Sequence, residues 1–328
     1  MKKIIISLIG ICLVLLVFAV TYFKYQNDSD LTTIRIAEVT HSIFYAPMYV
    51  AIEKGFFEEE GIEIELILTP GADRVAAAVL SNDVEVGFAG PESAIYVYNG
   101  GEEDYLVTFA GLTKRDGQFI VSRSDIKNFE LKDMVGKTVL AGRVGGMPLL
   151  NFQNALRNAD INERDLTINT SIEFAALAGA FIGNNGDFVN LFEPLATKLE
   201  KEGFGFIVGS VGQLSGEVPY TCFYARKSFI ENNEDLLIGF NNAIARGLKF
   251  VEENNAEEIA NAILSQFPDT SLNDLITIIN RYKEADSWLQ NPFITEESFK
   301  NLQDIMIDAK QITTHVPFKT LINNLYKK

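Results

Sequence analysis

The rarest residues in this sequence are tryptophan, which occurs once, and cysteine and histidine, which occur twice each. Cys12 lies inside an apolar run and leaves Cys222 alone in the rest of the chain, so no intrachain disulfide is expected. The chain contains no HExxH or CxxC spacing typical of a metal site. It also lacks the GxSxG turn of hydrolases and the phosphate-binding P-loop. We therefore expect no metal ion, no cofactor and no catalytic residues.

Basic residues are also scarce, with 28 lysines and arginines against 44 aspartates and glutamates. Three of the basic residues and none of the acidic ones lie in the first 24 residues, so the rest of the chain carries a net charge of −19. Nucleic acids bind to basic surfaces, because their phosphates must be neutralised. The composition therefore disfavours nucleic acid as a partner.

Long apolar runs are absent except at the N-terminus, where residues 4–23 are uncharged and follow Lys2 and Lys3. These 20 residues are long enough, as a helix, to cross a hydrocarbon core of about 30 Å. The two lysines favour a cytoplasmic N-terminus. A cleaved signal peptide is the alternative, but its apolar region is usually shorter and ends in small residues. We predict that residues 1–30 are a membrane anchor and linker, which holds the remaining chain on the outer face of the cell membrane.

The rest of the chain alternates between strand-like and helix-like segments, which predicts an α/β fold with mostly parallel sheets flanked by helices. The alternation runs in two cycles, and the chain is expected to pass between them near Thr113–Gln118 and Val218–Ala225. We predict a discontinuous first lobe, residues 31–115 and 222–328, and a second lobe, residues 116–221. A monomer is expected.

Three segments carry a family resemblance. Residues 41–66 read HSIFYAPMYVAIEKGFFEEEGIEIEL, residues 72–90 read ADRVAAAVLSNDVEVGFAG, and residues 133–146 read DMVGKTVLAGRVGG. They resemble the SsuA/THI5-like, or NMT1-like, solute-binding proteins, over roughly residues 34–255. The resemblance implies a two-lobed type II periplasmic-binding fold. It also implies a small-molecule ligand held between the lobes and delivered to an ABC permease with its ATPase subunits. Relatives bind thiamine-pyrimidine precursors, riboflavin, alkylsulfonates, taurine or nitrate.

Ligands of open α/β sheets bind beyond the carboxyl ends of the strands. The loops predicted there precede helices, whose free N–H groups can face a ligand. The candidate ligand-binding residues in these loops, with one more residue near the second passage between lobes, are His41, Ser42, Tyr45, Gly71, Gly90, Glu92, Ser93, Arg143, Gly145, Gly146, Phe192, Glu193 and Tyr220.

Several of these candidates have a plainer alternative. Ser42 and Ser93 suit helix caps, and Glu92 suits the first turn of a helix, where it would stabilise the helix dipole. Arg143 fits the role of a solvated surface cation as well as that of a ligand-binding residue.

Two carboxylates among the candidates, Glu92 and Glu193, accept hydrogen bonds and repel anions. Two rings, Tyr45 and Phe192, can stack on a flat ligand. This combination favours an amino-substituted heterocycle, such as a pyrimidine precursor of thiamine. A sulfonate, taurine or nitrate binder is the alternative, because a glycine-rich loop beside Arg143 suits an anion. Two further alternatives on the same fold are an enzyme of thiamine-pyrimidine synthesis and a signalling or adhesion ectodomain.

Overall fold

The computed structural model describes residues 31–326, and the predicted anchor at residues 4–23 lies outside that range. Within residues 31–326, no helix is both long and apolar enough to cross a bilayer. The chain forms two five-stranded sheets, each covered by helices.

The first sheet consists of β1 (Thr32–Glu38), β2 (Ile62–Leu68), β3 (Val86–Ala89), β4 (Leu106–Thr113) and β10 (Thr221–Arg226). Its strand order is β2-β1-β3-β10-β4. The strands β2, β1 and β3 are parallel, whereas β10 is antiparallel to both of its neighbours. Alternating side-chain directions explain the burial pattern of β1, because Ile34 and Ile36 are buried on one side of the strand.

The second sheet consists of β5 (Phe119–Ser122), β6 (Thr138–Leu140), β7 (Thr167–Asn169), β8 (Phe188–Leu191) and β9 (Phe206–Ser210). Its strand order is β7-β6-β8-β5-β9. Here β7, β6 and β8 are parallel, and β5 is antiparallel to β8 and β9. The two sheets confirm the predicted α/β fold of mostly parallel strands, with one reversed strand in each sheet.

Fourteen α-helices of residues 31–326 surround the sheets. They are α1 (Ala46–Glu53), α2 (Phe56–Glu59), α3 (Ala72–Leu80), α4 (Glu92–Asn99), α5 (Met147–Asn158), α6 (Leu177–Ile182), α7 (Leu195–Lys201), α8 (Val211–Ser215), α9 (Lys227–Asn232), α10 (Glu234–Glu253), α11 (Ala256–Ile263), α12 (Leu272–Glu284), α13 (Glu296–Asp308) and α14 (Phe318–Leu321). The long helix α10 packs closely on α1, since a Cβ atom at Gly247 would lie 2.1 Å from the Pro47 carbonyl oxygen. Glycine is therefore required at that contact.

The reversed strands β5 and β10 are each the first strand after the chain passes from one sheet to the other. The two connecting segments are hydrogen-bonded to each other. The Tyr220 amide donates to the Thr113 carbonyl oxygen at 3.0 Å, and the Val218 amide donates to the Lys114 carbonyl oxygen at 3.0 Å. These paired segments lie close to the predicted passages between lobes. The lobe limits, 31–115 with 222–328 and 116–221, stay a prediction.

Candidate functional site

The region where the two sheets meet, called the junction below, is closed by direct contacts. The Ser42 hydroxyl, just before α1, donates to the Glu193 carbonyl oxygen at 2.7 Å. The Tyr96 hydroxyl on α4 donates to the Gly145 carbonyl oxygen at 2.9 Å. Both bonds join a loop or helix beside the first sheet to a loop beside the second. The part of the chain around the first sheet, called the first half below, is therefore in contact with the part around the second sheet, called the second half.

Aromatic rings fill part of the junction. Phe44 lies in a 3₁₀ turn over Ile43–Tyr45, with its ring centroid 5.5 Å from that of Phe192 and 5.8 Å from that of Tyr220. The Tyr45 ring packs instead against Phe88 of the first sheet, at 4.5 Å. The rings nearest to Phe192 are therefore those of Phe44 and Phe174, each at 5.5 Å, and neither residue was among the predicted binding residues.

Glu92 begins α4 and is 2 % exposed. Its carboxyl group lies near the backbone N–H groups of Glu92, Ser93 and Met147, which favour the ionised form. Burial outweighs them and raises the pKa of Glu92 to about 8. Within the described part of the chain, residues 31–326, its Oε2 atom has no hydrogen-bond partner. Because Met147 begins α5, this carboxyl of the first half reaches the N-terminus of a helix of the second half.

Gly90 makes this approach possible. A Cβ atom at Gly90 would lie 1.9 Å from Glu92 Oε2 and 2.5 Å from Met147 Cγ. Both distances are shorter than any van der Waals contact, so a larger residue at this position would displace Glu92 or separate the two halves.

Three buried polar residues that were not among the predicted binding residues lie beside the junction: Asp116, Gln118 and Asn190. Asp116 Oδ1 accepts from the Gln118 amide at 2.7 Å, and Gln118 Nε2 donates to the Asn190 carbonyl oxygen at 3.1 Å. Among residues 31–326, Gln118 Oε1 and both polar side-chain atoms of Asn190 have no hydrogen-bond partner. The Asp116 carboxyl lies against the Tyr220 hydroxyl. Burial raises the pKa of Asp116 to about 8. A polar residue inside an apolar run, as in FVNLF at residues 188–192, is the signal that could have found Asn190.

Glu193 is buried, but its carboxylate is already bonded. Its Oε2 atom accepts from the Thr197 amide at 2.8 Å, and Oε1 accepts from the Thr197 hydroxyl at 2.9 Å. Arg281 of α12 forms an ion pair with the same Oε1. These contacts give Glu193 a structural role in fixing α12 against the second half, rather than a free carboxylate for a ligand.

His41 uses both of its ring nitrogens within the first half. Nδ1 lies 2.8 Å from Glu38 Oε1, and Nε2 lies 2.9 Å from the Gln266 carbonyl oxygen. Since both partners are acceptors, the doubly protonated ring satisfies them. The hydrogen bond to Glu38 raises the pKa of His41. His41 thus ties the end of β1 to the segment before α12.

Arg143 lies in the loop before α5, with its side chain 50 % exposed and paired to Glu173 at 3.2 Å. The position at the α5 N-terminus that would suit an anion is taken by Glu92. An open hollow of about 270 Å³ lies beside this loop, lined by Val144, Gly145, Leu149, Gln153, Glu163, Ile168, Thr170 and Gln311.

The structure sorts the predicted residues into two groups. Those it brings to the junction or to its edge are Ser42, Gly90, Glu92, Gly145, Gly146, Phe192, Glu193 and Tyr220. Those that pack within the first half or lie at the surface are His41, Tyr45, Gly71, Ser93 and Arg143.

The chain is similar in sequence to known proteins. The family described as NMT1/THI5 like matches residues 43–258. YtlA of Bacillus subtilis (strain 168), whose assigned role as a binding protein is provisional, is 40% identical over 311 residues, which cover 94% of this chain and 92% of YtlA.

Two solved structures have the same fold. The periplasmic aliphatic sulphonate binding protein SsuA from Escherichia coli superposes with a TM-score of 0.70 at 16% identity, covering 88% of this chain and 97% of SsuA. The periplasmic nitrate-binding protein NrtA from Synechocystis PCC 6803 gives a TM-score of 0.63 at 14% identity, covering 91% and 93%. At such identities, the likeness concerns the fold alone.

Proposed function

The chain belongs to the NMT1/THI5-like family of solute-binding proteins, and on that premise we propose that it is the ligand-capturing component of an ABC importer. It is a binding protein and not an enzyme. In this proposal it takes up a small solute at the junction, outside the cell membrane, and presents it to a membrane permease served by ATPase subunits. A ligand that contacts both halves favours the closed arrangement over an open one.

The proposal for the ligand class depends on Glu92. Free N–H groups at a helix N-terminus are a common binding site for anions. At the junction, the N-termini of α4 and α5 converge on the buried carboxyl of Glu92. A sulfonate or nitrate would have to displace this carboxyl, and Arg143, the cation on which the anion alternative depends, is paired with Glu173 at the surface.

An amino-substituted heterocycle fits the same carboxyl better. With a pKa of about 8, Glu92 is mostly uncharged at pH 7, so it offers one O–H donor and one carbonyl acceptor. A ring nitrogen next to an exocyclic amino group presents the complementary acceptor and donor. The rings of Phe44 and Phe192 lie at the same junction and offer faces on which a flat molecule can pack. We therefore favour a pyrimidine related to the thiamine precursor over an anion.

Calorimetry on the full-length protein in a mild detergent tests this proposal. The ligands are 4-amino-5-hydroxymethyl-2-methylpyrimidine, called the hydroxymethyl pyrimidine below, and ethanesulfonate. We expect binding of the hydroxymethyl pyrimidine and none of ethanesulfonate. Glu92→Leu should weaken binding by about 5- to 150-fold, because two hydrogen bonds of about 0.5–1.5 kcal/mol each are lost.

Glu102→Gln is the matched control, since Glu102 is an exposed carboxylate between α4 and β4, and it should leave the affinity unchanged. Tight binding of ethanesulfonate, with no heat from the hydroxymethyl pyrimidine, would overturn the proposed ligand class and favour the anion alternative.

A further inference from the structure

Helix α12, Leu272–Glu284, is attached to the first half by apolar packing. It packs against α11. At its C-terminal end, Lys283 Nζ donates to the Asn254 carbonyl oxygen, just after α10, at 2.6 Å. The side chains that α12 buries are those of Leu275, Ile278, Ile279 and Tyr282. Burial of this apolar surface holds α12 on the first half.

A second face of α12 is bonded to the second half. In the first turn, Asp274 Oδ1 lies 2.7 Å from Lys201 Nζ, at the end of α7. Arg281 follows seven residues later, which is two helical turns, so it lies on the same face as Asp274. Its guanidinium forms ion pairs with Glu193 and, at 3.4 Å, with Glu200. One helix of the first half therefore carries a row of charges that is paired across the junction.

The C-terminal end of α12 lies at the segments that connect the sheets. The Glu284 carbonyl oxygen accepts from Gln213 Nε2 at 3.1 Å, and the Tyr282 hydroxyl donates to the Gly117 carbonyl oxygen at 3.2 Å. Two halves that rotate about their connecting segments move least beside those segments. Asp274 lies ten residues before Glu284, or about 15 Å along the helix. Its pair with Lys201 is therefore the contact of α12 that separates furthest when the halves open.

The chemistry of the two faces indicates which of them separates on opening. The apolar face would lose buried surface to water, which is unfavourable. The Lys201 side chain is 59 % exposed, so water can solvate both members of its pair with Asp274 once they part. Opening therefore breaks the charged face, and α12 stays on the first half.

We propose that α12 is a latch: the ion pairs of Asp274 and Arg281 hold the two halves closed in the absence of ligand, and they must break before a ligand can enter or leave the junction. The role of the junction as the ligand site rests on the proposed function. The closed ligand-free state does not, because it can be measured without any ligand.

Hydrogen exchange followed by mass spectrometry, on the ligand-free full-length protein in a mild detergent, tests the latch. Two amides report on closure, because each has its partner in the other half. The Glu193 amide donates to the Tyr282 hydroxyl at 3.2 Å, and the Met147 amide lies at the Glu92 carboxyl. Such amides exchange when the contact opens, and we expect the wild type to protect both.

Lys201→Gln leaves α12 itself unchanged and removes the outer ion pair. It should raise the exchange rate of both amides by about 1.4- to 5-fold, the range that corresponds to about 0.2–1 kcal/mol for an exposed pair. Asp274→Asn should have the same effect. The double variant should exchange no faster than either single variant, because all three lack the same pair.

Two controls separate opening from a general loss of stability. The amides of β1 are bonded within the first sheet, and their exchange should not change in any of these variants. Asp125→Asn removes an exposed ion pair with Lys127 that lies wholly within the second half, and it should leave the Glu193 and Met147 amides at their wild-type rates.

Ligand kinetics give a second readout. Stopped-flow mixing with the hydroxymethyl pyrimidine, followed by the fluorescence of the single tryptophan, Trp288, measures entry and exit. Trp288 Nε1 donates to the Phe44 carbonyl oxygen, at the junction, at 2.7 Å. In Lys201→Gln the association and dissociation rates should rise by the same factor as the exchange rate, since both steps need the halves to part.

Unprotected Glu193 and Met147 amides in the ligand-free wild type would overturn the latch. So would unchanged exchange in both single variants, or a rise that the β1 amides share. The proposed function would stand in each of these cases, because it is tested by calorimetry. Failure of the hydroxymethyl pyrimidine to bind would overturn the proposed ligand class instead, and the exchange result would still decide on the latch.

Discussion

Replacing Glu92 by glutamine should stabilise the ligand-free protein, and the gain should grow with pH. In the unfolded chain, the glutamate ionises at its ordinary pKa of 4.5, whereas burial keeps it protonated in the folded protein until about pH 8. Between these values the folded state holds one more proton than the unfolded state. The free energy of unfolding therefore falls as the pH rises through this window.

The size of the effect follows from the two pKa values. The interval from 4.5 to about 8, at about 1.4 kcal/mol per pH unit, sets an upper limit of roughly 5 kcal/mol on the loss of stability. Glutamine resembles the protonated acid in shape and does not titrate, so the variant should lack this loss.

Urea unfolding of wild type and Glu92→Gln, followed by circular dichroism at pH 5 and pH 8, measures the effect. At pH 5 we expect the two proteins to differ by less than about 1 kcal/mol, and at pH 8 the variant should be more stable by several kcal/mol. The exposed-site control Glu102→Gln should follow the wild type. Parallel pH dependences of wild type and Glu92→Gln would refute the reasoning, because they would mean that Glu92 is already ionised in the folded protein.

Three further variants test individual contacts. Glu193→Gln should lower the free energy of unfolding by about 1–3 kcal/mol, because Arg281 loses the nearer of its two charged partners and keeps only Glu200; urea unfolding measures this, and an unchanged midpoint would contradict it. His41→Gln should remove stability that the wild type has in full below about pH 6.5 and loses as the pH rises through the raised pKa of His41. Melting temperatures of the two proteins should therefore differ at pH 5.5 and converge at high pH, and a difference independent of pH would count against the His41–Glu38 pair. Gly90→Ala should weaken the hydroxymethyl pyrimidine and enlarge the radius of gyration in solution scattering, because its methyl group would meet Glu92 Oε2 at 1.9 Å; native affinity and size would show that the contact is not required.

The first cycle of the fold could be predicted closely from the sequence. Residues 33–39, TIRIAEV, largely alternate between polar and apolar side chains and so predict a strand, and the structure has β1 at Thr32–Glu38. The second cycle of strands and helices was harder to predict. The strand β8, Phe188–Leu191, was not predicted, because Asn190 interrupts its apolar pattern. That same asparagine is one of the buried polar residues beside the junction.

The local sequence pattern selected both Glu92 and Glu193 as candidate ligand-binding residues. It could not show that the Glu193 carboxylate is already bonded by other residues of the protein. The partner that occupies Glu193, Arg281, is 88 residues away in the sequence, and no local pattern predicts such a contact. Asp116 was missed for a related reason. An aspartate next to Lys114 and Arg115 has the sequence of a solvated turn, and only the packing of the two connecting segments buries it.

A crystal structure of the protein with the hydroxymethyl pyrimidine would test the central claim most directly. The account predicts the ring at the junction, with its exocyclic amino group or ring nitrogen about 2.7–3.2 Å from Glu92 Oε2. Density for the pyrimidine away from Glu92, or a sulfonate bound at the N-termini of α4 and α5 with the Glu92 side chain displaced, would contradict it.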